Sequence, residues 1–263
     1  MPTRSVFITV ITVITAALSL VLAPAAVASS PPDPAEQPYV IGGRNATETY
    51  SFSASLQFRT DNRHQCGASL VKSRWLVTAA HCVVGRTANE FKVRVGSNDR
   101  NAGGSVANVS RIVVHPRYAV QRPFGDIALL ELATPVSQAP VPIPLTPGLA
   151  GTPTRIMGWG TTCPAQSCPT VTQKELDTSI LAVQRCTRID GVTEICTNNP
   201  NNNSGACYGD SGGPQVRRID NRWYLIGATS RSGNNDPTCA TGPSIYTSVV
   251  AYRSWIQQHV GVL

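Results

Sequence analysis

From residue 40 onward, apolar residues recur at every second position in short runs. Phe52, Ala54, Leu56 and Phe58 alternate with polar neighbours, and Phe91, Val93 and Val95 repeat the pattern. A period of two puts successive side chains on opposite faces of an extended chain, so these runs predict half-buried β-strands. Residues 75–80, 127–132, 155–159 and 223–229 are further strand candidates. Gly, Asn and Pro clusters separate the runs without a long helical pattern between them, which favours antiparallel hairpins and an all-β fold over strand–helix units. The exception lies near the C-terminus, where Val249, Tyr252, Trp255, Ile256, His259 and Val260 follow helical spacing and predict one helix with an apolar face on the body.

The first forty residues have a different pattern. Residues 1–5 carry one positive charge (Arg4), residues 6–23 are apolar apart from Thr and Ser, and Ala26-Val27-Ala28 forms a small-x-small site. This predicts a secretory signal peptide over residues 1–28, with Pro24 and the Ala-x-Ala end favouring removal over retention as a membrane anchor. Residues 29–39 hold four prolines and nothing to bury, so they read as a propeptide. The mature domain is expected over residues 40–263, secreted, extracellular and free of the membrane once the signal is gone. Five prolines in residues 135–147 mark a seam between halves of about 40–134 and 148–263.

Composition narrows the function classes. In 263 residues, 41% are apolar and 14% charged, enough for a packed core and too little charge for disorder. The net charge of +7 comes from 19 Arg and 3 Lys dispersed along the chain, with Arg217-Arg218 the one adjacent pair. No basic stripe forms, so no nucleic-acid partner is expected. Eight cysteines in an exported chain read as disulfides; spacing alone permits 105 pairings. There is no CxxC or HExxH, and no metal or other cofactor is expected.

Three stretches carry candidate chemistry: Thr78-Ala79-Ala80-His81-Cys82, Asp126-Ile127-Ala128-Leu129-Leu130 and Gly209-Asp210-Ser211-Gly212-Gly213-Pro214. A serine hydroxyl is a weak nucleophile; it needs a histidine to take its proton and a carboxylate to orient that histidine. Glycines beside Ser211 let the backbone turn sharply and let a carbonyl approach the N–H groups. Each stretch alone has a bland reading, a core histidine, a strand-capping aspartate or a Gly-rich turn.

Together with Val40-Ile41-Gly42-Gly43 and the Gly-Pro-Ser-Ile-Tyr run at 242–246, and in this order, they give the chain its resemblance to the chymotrypsin/trypsin family of serine endopeptidases, from residue 40 to the C-terminus. The triad template of general enzymology was built on that family. The resemblance implies two six-stranded antiparallel β-barrels with the active site between them, followed by a C-terminal helix, and the proline seam falls where such a fold changes barrels. It implies His81 as general base and acid, Asp126 as its orienting partner, Ser211 as nucleophile, and the N–H groups of Gly209 and Ser211 as the oxyanion hole. Ser230 matches a serine kept near the buried aspartate at the start of the substrate-pairing strand. Disulfides Cys66–Cys82, Cys186–Cys196 and Cys207–Cys239 follow from the same matching, leaving Cys163 and Cys168 to bridge each other.

Further expectations concern activation and specificity. Val40 matches the family's new N-terminus, whose ammonium pairs with the Asp before the nucleophile, here Asp210. A zymogen is therefore expected, cut before Val40 by the enzyme itself or by another secreted protease. Trypsin-like members carry an Asp six residues before the nucleophile; Gly205 stands there, followed by Ala206, so an apolar pocket is expected, its walls by the same matching Ser232 and Ser244 with Ser230 at its edge, taking Phe, Tyr or Leu, or else Ala or Val. Arg231 replaces the family's Trp, and we expect it to favour an acidic residue two positions upstream of P1. The loop at 96–104 lacks the acidic pair relatives use for calcium. The expected partner is a protein or peptide substrate, and a monomer is expected. The other readings are a catalytically inactive homologue acting as a binding module, and an esterase in which Gly209-x-Ser211-x-Gly213 serves as a nucleophile elbow with Asp236 and His259.

Overall fold

The computed structural model describes residues 1–3, 40–119, 124–164 and 167–263; nearly all of the expected signal and the whole of residues 29–39 lie outside the described residues. Six strands, β2 (Ser53–Phe58), β3 (His64–Lys72), β4 (Trp75–Thr78), β5 (Phe91–Val95), β6 (Ser105–Val114) and β7 (Ala128–Leu132), close into a barrel in the order β2-β3-β4-β7-β6-β5. Every pairing is antiparallel. The alternation that predicted β5 is its burial pattern: Phe91, Val93 and Val95 are wholly buried and Lys92 and Arg94 are not. Leu56, Leu70, Leu76 and Leu130 fill the same interior, each burial contributing roughly 1.5–3 kcal/mol.

The second half is a seven-stranded sheet rather than a second ladder-closed barrel. β1 (Arg44–Asn45), β8 (Pro153–Gly158), β9 (Lys174–Ser179), β10 (Glu194–Thr197), β11 (Pro214–Ile219), β12 (Arg222–Ser232) and β13 (Ser244–Ser248) run in the order β1-β9-β8-β11-β12-β13-β10. β10, at the far edge, comes back to the end of β9 through an Ile180–Thr197 bridge, Leu181 N–H to Cys196 O (2.7 Å) and Asn198 N–H to Ser179 O (2.9 Å). Closure thus rests on a few bonds, because β9 already pairs with β1 along Arg44–Glu175 and Asn45–Lys174.

No strand forms between β7 and β8, where the prolines cluster. This segment joins both halves: Val141 N–H donates to Leu70 O and Leu225 N–H to Pro142 O, both at 2.9 Å. α1 (Arg253–Val260) buries Ile256 and ends at Gly261, with φ +80°. It packs through aromatic edges, Tyr252 and Trp255 standing 4.7 and 4.8 Å from the His115 ring. Among the described residues, no helix is long and apolar enough to cross a membrane.

Candidate active site

Three connections bring the candidate residues together. His81 sits in the 3₁₀ turn Ala80–Cys82 that follows β4, Asp126 on the approach to β7, and Ser211 on the turn leading into β11. The two halves are tied there by backbone and side chain: Gly67 N–H donates to Ser211 O (2.8 Å), and Thr247 Oγ1 donates to Asp126 O (2.9 Å). The Cys66–Cys82 disulfide packs beside His81, with both sulfurs and a ring nitrogen within 4.8 Å of one another. Both sulfurs are spent in that bond and cannot serve a metal.

Asp126 is buried and fully engaged. Its Oδ1 accepts the His81 backbone N–H (2.9 Å), and its Oδ2 accepts Ser230 Oγ–H (2.6 Å) and faces His81 Nδ1 at 2.8 Å. A carboxylate can only accept, so Nδ1 carries a proton, and in the neutral imidazole tautomer this selects, Nε2 holds the lone pair. His81 and Ser211 line one cavity of about 430 Å³; no direct hydrogen bond joins them among the described residues. Contacts of this kind are often long without substrate.

Ala206, Ser230, Ser232 and Ser244 line the same cavity, as do Cys207 and Cys239. Gly205 stands just behind: a Cβ added there would lie 3.5 Å from Ser244 Oγ. Asp236, absent from the expected pocket, lines the cavity too; its carboxylate accepts Thr238 N–H (2.8 Å) and Thr241 Oγ1–H (3.0 Å), which hold its pKa below the ordinary value. The disulfides are Cys66–Cys82, Cys163–Cys168, Cys186–Cys196 and Cys207–Cys239.

The turn carrying Ser211 is shaped by neighbours that periodicity does not reveal. Gly209 has φ +97°, a conformation that L side chains resist. Its carbonyl accepts His64 Nε2–H (2.9 Å), and His64 Nδ1 accepts Ser55 Oγ–H (2.8 Å). Burial lowers the His64 pKa to about 4, so the ring is neutral. The N–H groups of Gly209 and Ser211 meet no acceptor among the described residues.

Asp210 points the other way, into the second half. Its carboxylate accepts Gly160 N–H (2.8 Å) and Cys207 N–H (2.9 Å). A Cβ on Gly160 would come within 2.5 Å of that carboxyl group, so only glycine leaves it room. Among the described residues no cation pairs with Asp210, and burial raises its pKa from 3.8 to about 6. Val40, still joined to Tyr39, is buried as well.

Two sequence expectations meet unexpected geometry. Arg231 is not a free cation: its guanidinium grips Glu194 with two bonds of 2.6 and 2.8 Å. The esterase reading falls, since Ser211 precedes an antiparallel strand rather than a helix, and His259, edge-on to Trp255 (5.3 Å), does not line the cavity that Ser211 and Asp236 share.

A family model described as Trypsin matches residues 40–256. The chain is 35% identical over 240 residues to "Fibrinolytic enzyme, isozyme C" of Lumbricus rubellus, covering 82% of this chain and 98% of that protein. It is 33% identical over 243 residues to "Trypsin 5G1" of Aedes aegypti, covering 85% of each. Matching over the whole two-part fold and the cleft it builds, the chain belongs to the trypsin family of serine endopeptidases.

Proposed function

We propose that this endopeptidase uses Ser211 as nucleophile, His81 as general base and acid and Asp126 to orient His81, and that it is made as a secreted precursor cut before Val40. The observation that carries the assignment is the hydrogen-bonded series Ser230–Asp126–His81, which ends in the cavity that Ser211 also lines. With the proton on Nδ1, His81 Nε2 takes the Ser211 proton as Oγ bonds to the peptide carbonyl carbon. The resulting oxyanion is met by the N–H groups of Gly209 and Ser211. His81 then passes the proton to the leaving amine as the C–N bond breaks, and water activated by the same nitrogen hydrolyses the acyl-enzyme.

An apolar P1 residue is the preference we infer. Gly205 and Ala206 put no carboxylate at the floor, and Asp236 is already engaged by Thr238 and Thr241. Asp236 lies in the exposed turn closed by Thr238 and Thr241 rather than at the floor, so a Lys or Arg head reaching Gly205 and Ala206 would be buried without a carboxylate beside it, at considerable cost. The precursor reading is supported by the buried Asp210, which pairs with no cation among the described residues and for which the ammonium of a new Val40 terminus is the natural partner. Four disulfides and the signal-like residues 1–28 support export to an oxidising, extracellular space. We take the working form to be a monomer over residues 40–263 acting on proteins or peptides, without a cofactor or nucleic-acid partner.

The test is cleavage of a P1-varied peptide library by protein beginning at Val40, with Ser211→Ala as control. Cutting after Phe, Tyr or Leu that vanishes in the control is expected. Cutting after Lys or Arg overturns the pocket assignment, and unreactivity of Ser211 towards a phosphonate probe overturns the triad.

A further inference from the structure

β12 outruns its partner β11. On the β11 side bonding ends at Thr229, which exchanges bonds with Gly212 and Gly213 (2.8 and 3.0 Å), whereas on the other side β12 continues beside β13 through Arg231–Ile245 and Ser232–Ser244. Residues 230–232 therefore have one edge unpaired among the described residues, and all three line the cavity that holds His81 and Ser211. An unpaired edge of this kind is where an extended peptide adds as a further strand. Whatever charge stands on it is read by the substrate residues upstream of the scissile bond.

That edge carries Arg231, yet its charge is already answered. Glu194, on β10, has no side-chain exposure, while Arg231 retains 21%. One guanidinium nitrogen donates to Glu194 Oε1 at 2.6 Å; the other donates to Oε2 at 2.8 Å and to Arg188 O at 2.9 Å. Glu194 Oε2 also accepts Asp190 N–H at 2.8 Å, so the carboxylate is fixed by its own loop, which the Cys186–Cys196 disulfide closes. A two-pronged match of fork to carboxylate is the geometry in which arginine is most strongly held. Arg231 lines the cleft wall with its charge answered by a carboxylate buried behind it.

We propose that Glu194 is a positioning residue for substrate selection: by holding Arg231 in this pair it makes the upstream side of the cleft neutral, so that acidic residues there gain nothing. The inference rests on the reading of Ser211 as nucleophile and of residues 230–232 as the substrate edge. It makes a reciprocal prediction. Glu194→Gln leaves Arg231 without its counter-charge and turns the edge cationic; Arg231→Gln leaves Glu194 uncompensated and turns it anionic; the double substitution restores neutrality.

The experiment uses protein beginning at Val40 and peptides that share one P1 residue and carry Asp, Gln or Lys at the second, third and fourth positions upstream of the cut. Phosphonate titration of Ser211 counts competent enzyme in each variant, and the Gln peptides test the underlying protease reading by themselves. The parent is expected to cleave Asp and Gln peptides within about threefold of each other. Glu194→Gln should raise the Asp-to-Gln ratio of kcat/KM by about tenfold or more, through KM, and lose that gain at high salt. Arg231→Gln should raise the Lys-to-Gln ratio instead, and the double variant should match the parent. A loss of packing alone would not raise the Asp ratio in one variant and the Lys ratio in the other. Parent-like ratios in both single variants, or acidic preference in the parent, overturn the proposal; if Glu194→Gln yields no titratable enzyme, Arg231→Gln decides alone.

Discussion

In the uncut chain, Asp210 should act against stability as pH rises. Its carboxyl is buried with two N–H donors and, among the described residues, no cation, and burial raises its pKa from 3.8 to about 6. A folded-state pKa above the unfolded one means the folded state holds the proton more tightly, so its contribution is complete below pH 3.8 and is lost as pH climbs to about 6. At 1.36 kcal/mol per pH unit the loss amounts to about 3 kcal/mol. The comparison is Asp210→Asn against its parent, both carrying Ser211→Ala to prevent self-cleavage. The amide accepts only one of the two N–H groups, which adds a cost independent of pH. The stability difference between the pair should therefore slope across pH 4–6 and be flat outside it. With an m-value near 3 kcal/mol/M, the urea midpoints should diverge by roughly 1 M over that window. Cutting before Val40 should abolish the slope, because an ammonium beside Asp210 favours its charged form. A difference that does not change with pH would refute the reasoning.

Other expected outcomes follow from the same contacts. His64, whose pKa is lowered to about 4, should cost stability as pH falls from 6.5, since only the unfolded chain takes up the proton there; His64→Gln should remove that acid-side loss in urea titrations. Ser230→Ala removes one donor to Asp126 and should lower kcat on the order of tenfold with KM little changed, measured by steady-state kinetics. Replacing Cys207 and Cys239 together by Ser should lower stability by about 2–4 kcal/mol, seen as a fall in Tm, and loosen P1 selectivity because that bridge lines the cavity.

The strands that could be read from the chain are those whose partners are apolar. β2, β5 and β7 follow the alternation or apolar runs of residues 52–58, 91–95 and 127–132, because a barrel interior needs no more from a strand than one apolar face. β9 escaped, since Lys-Glu-Leu-Asp-Thr-Ser reads as polar surface. Its Glu175 is nevertheless fully buried, satisfied by Tyr50 Oη–H at 2.5 Å, by Thr47 and by Arg44 and Arg155 from other segments. No local pattern announces a carboxylate whose partners lie 20 to 131 residues away.

The site divides in the same way. His81, Asp126, Ser211, Gly209, Asp210 and Val40 could be proposed from the chain because each stands in a short run that resembles one of a known family. Which cation or carbonyl meets which side chain was decided only by folding: β12 and β10 flank β13, so the Arg231 charge is answered by Glu194; His64 came from β3 to hold Gly209; and Asp236 arrived at the pocket. The sequence by itself determined the strand periodicity, the order of the reactive residues and the absence of a carboxylate at Gly205. The tertiary structure determined which of its charges remain free, because pairing in a β-fold depends on strands that are neighbours in space and distant in the chain.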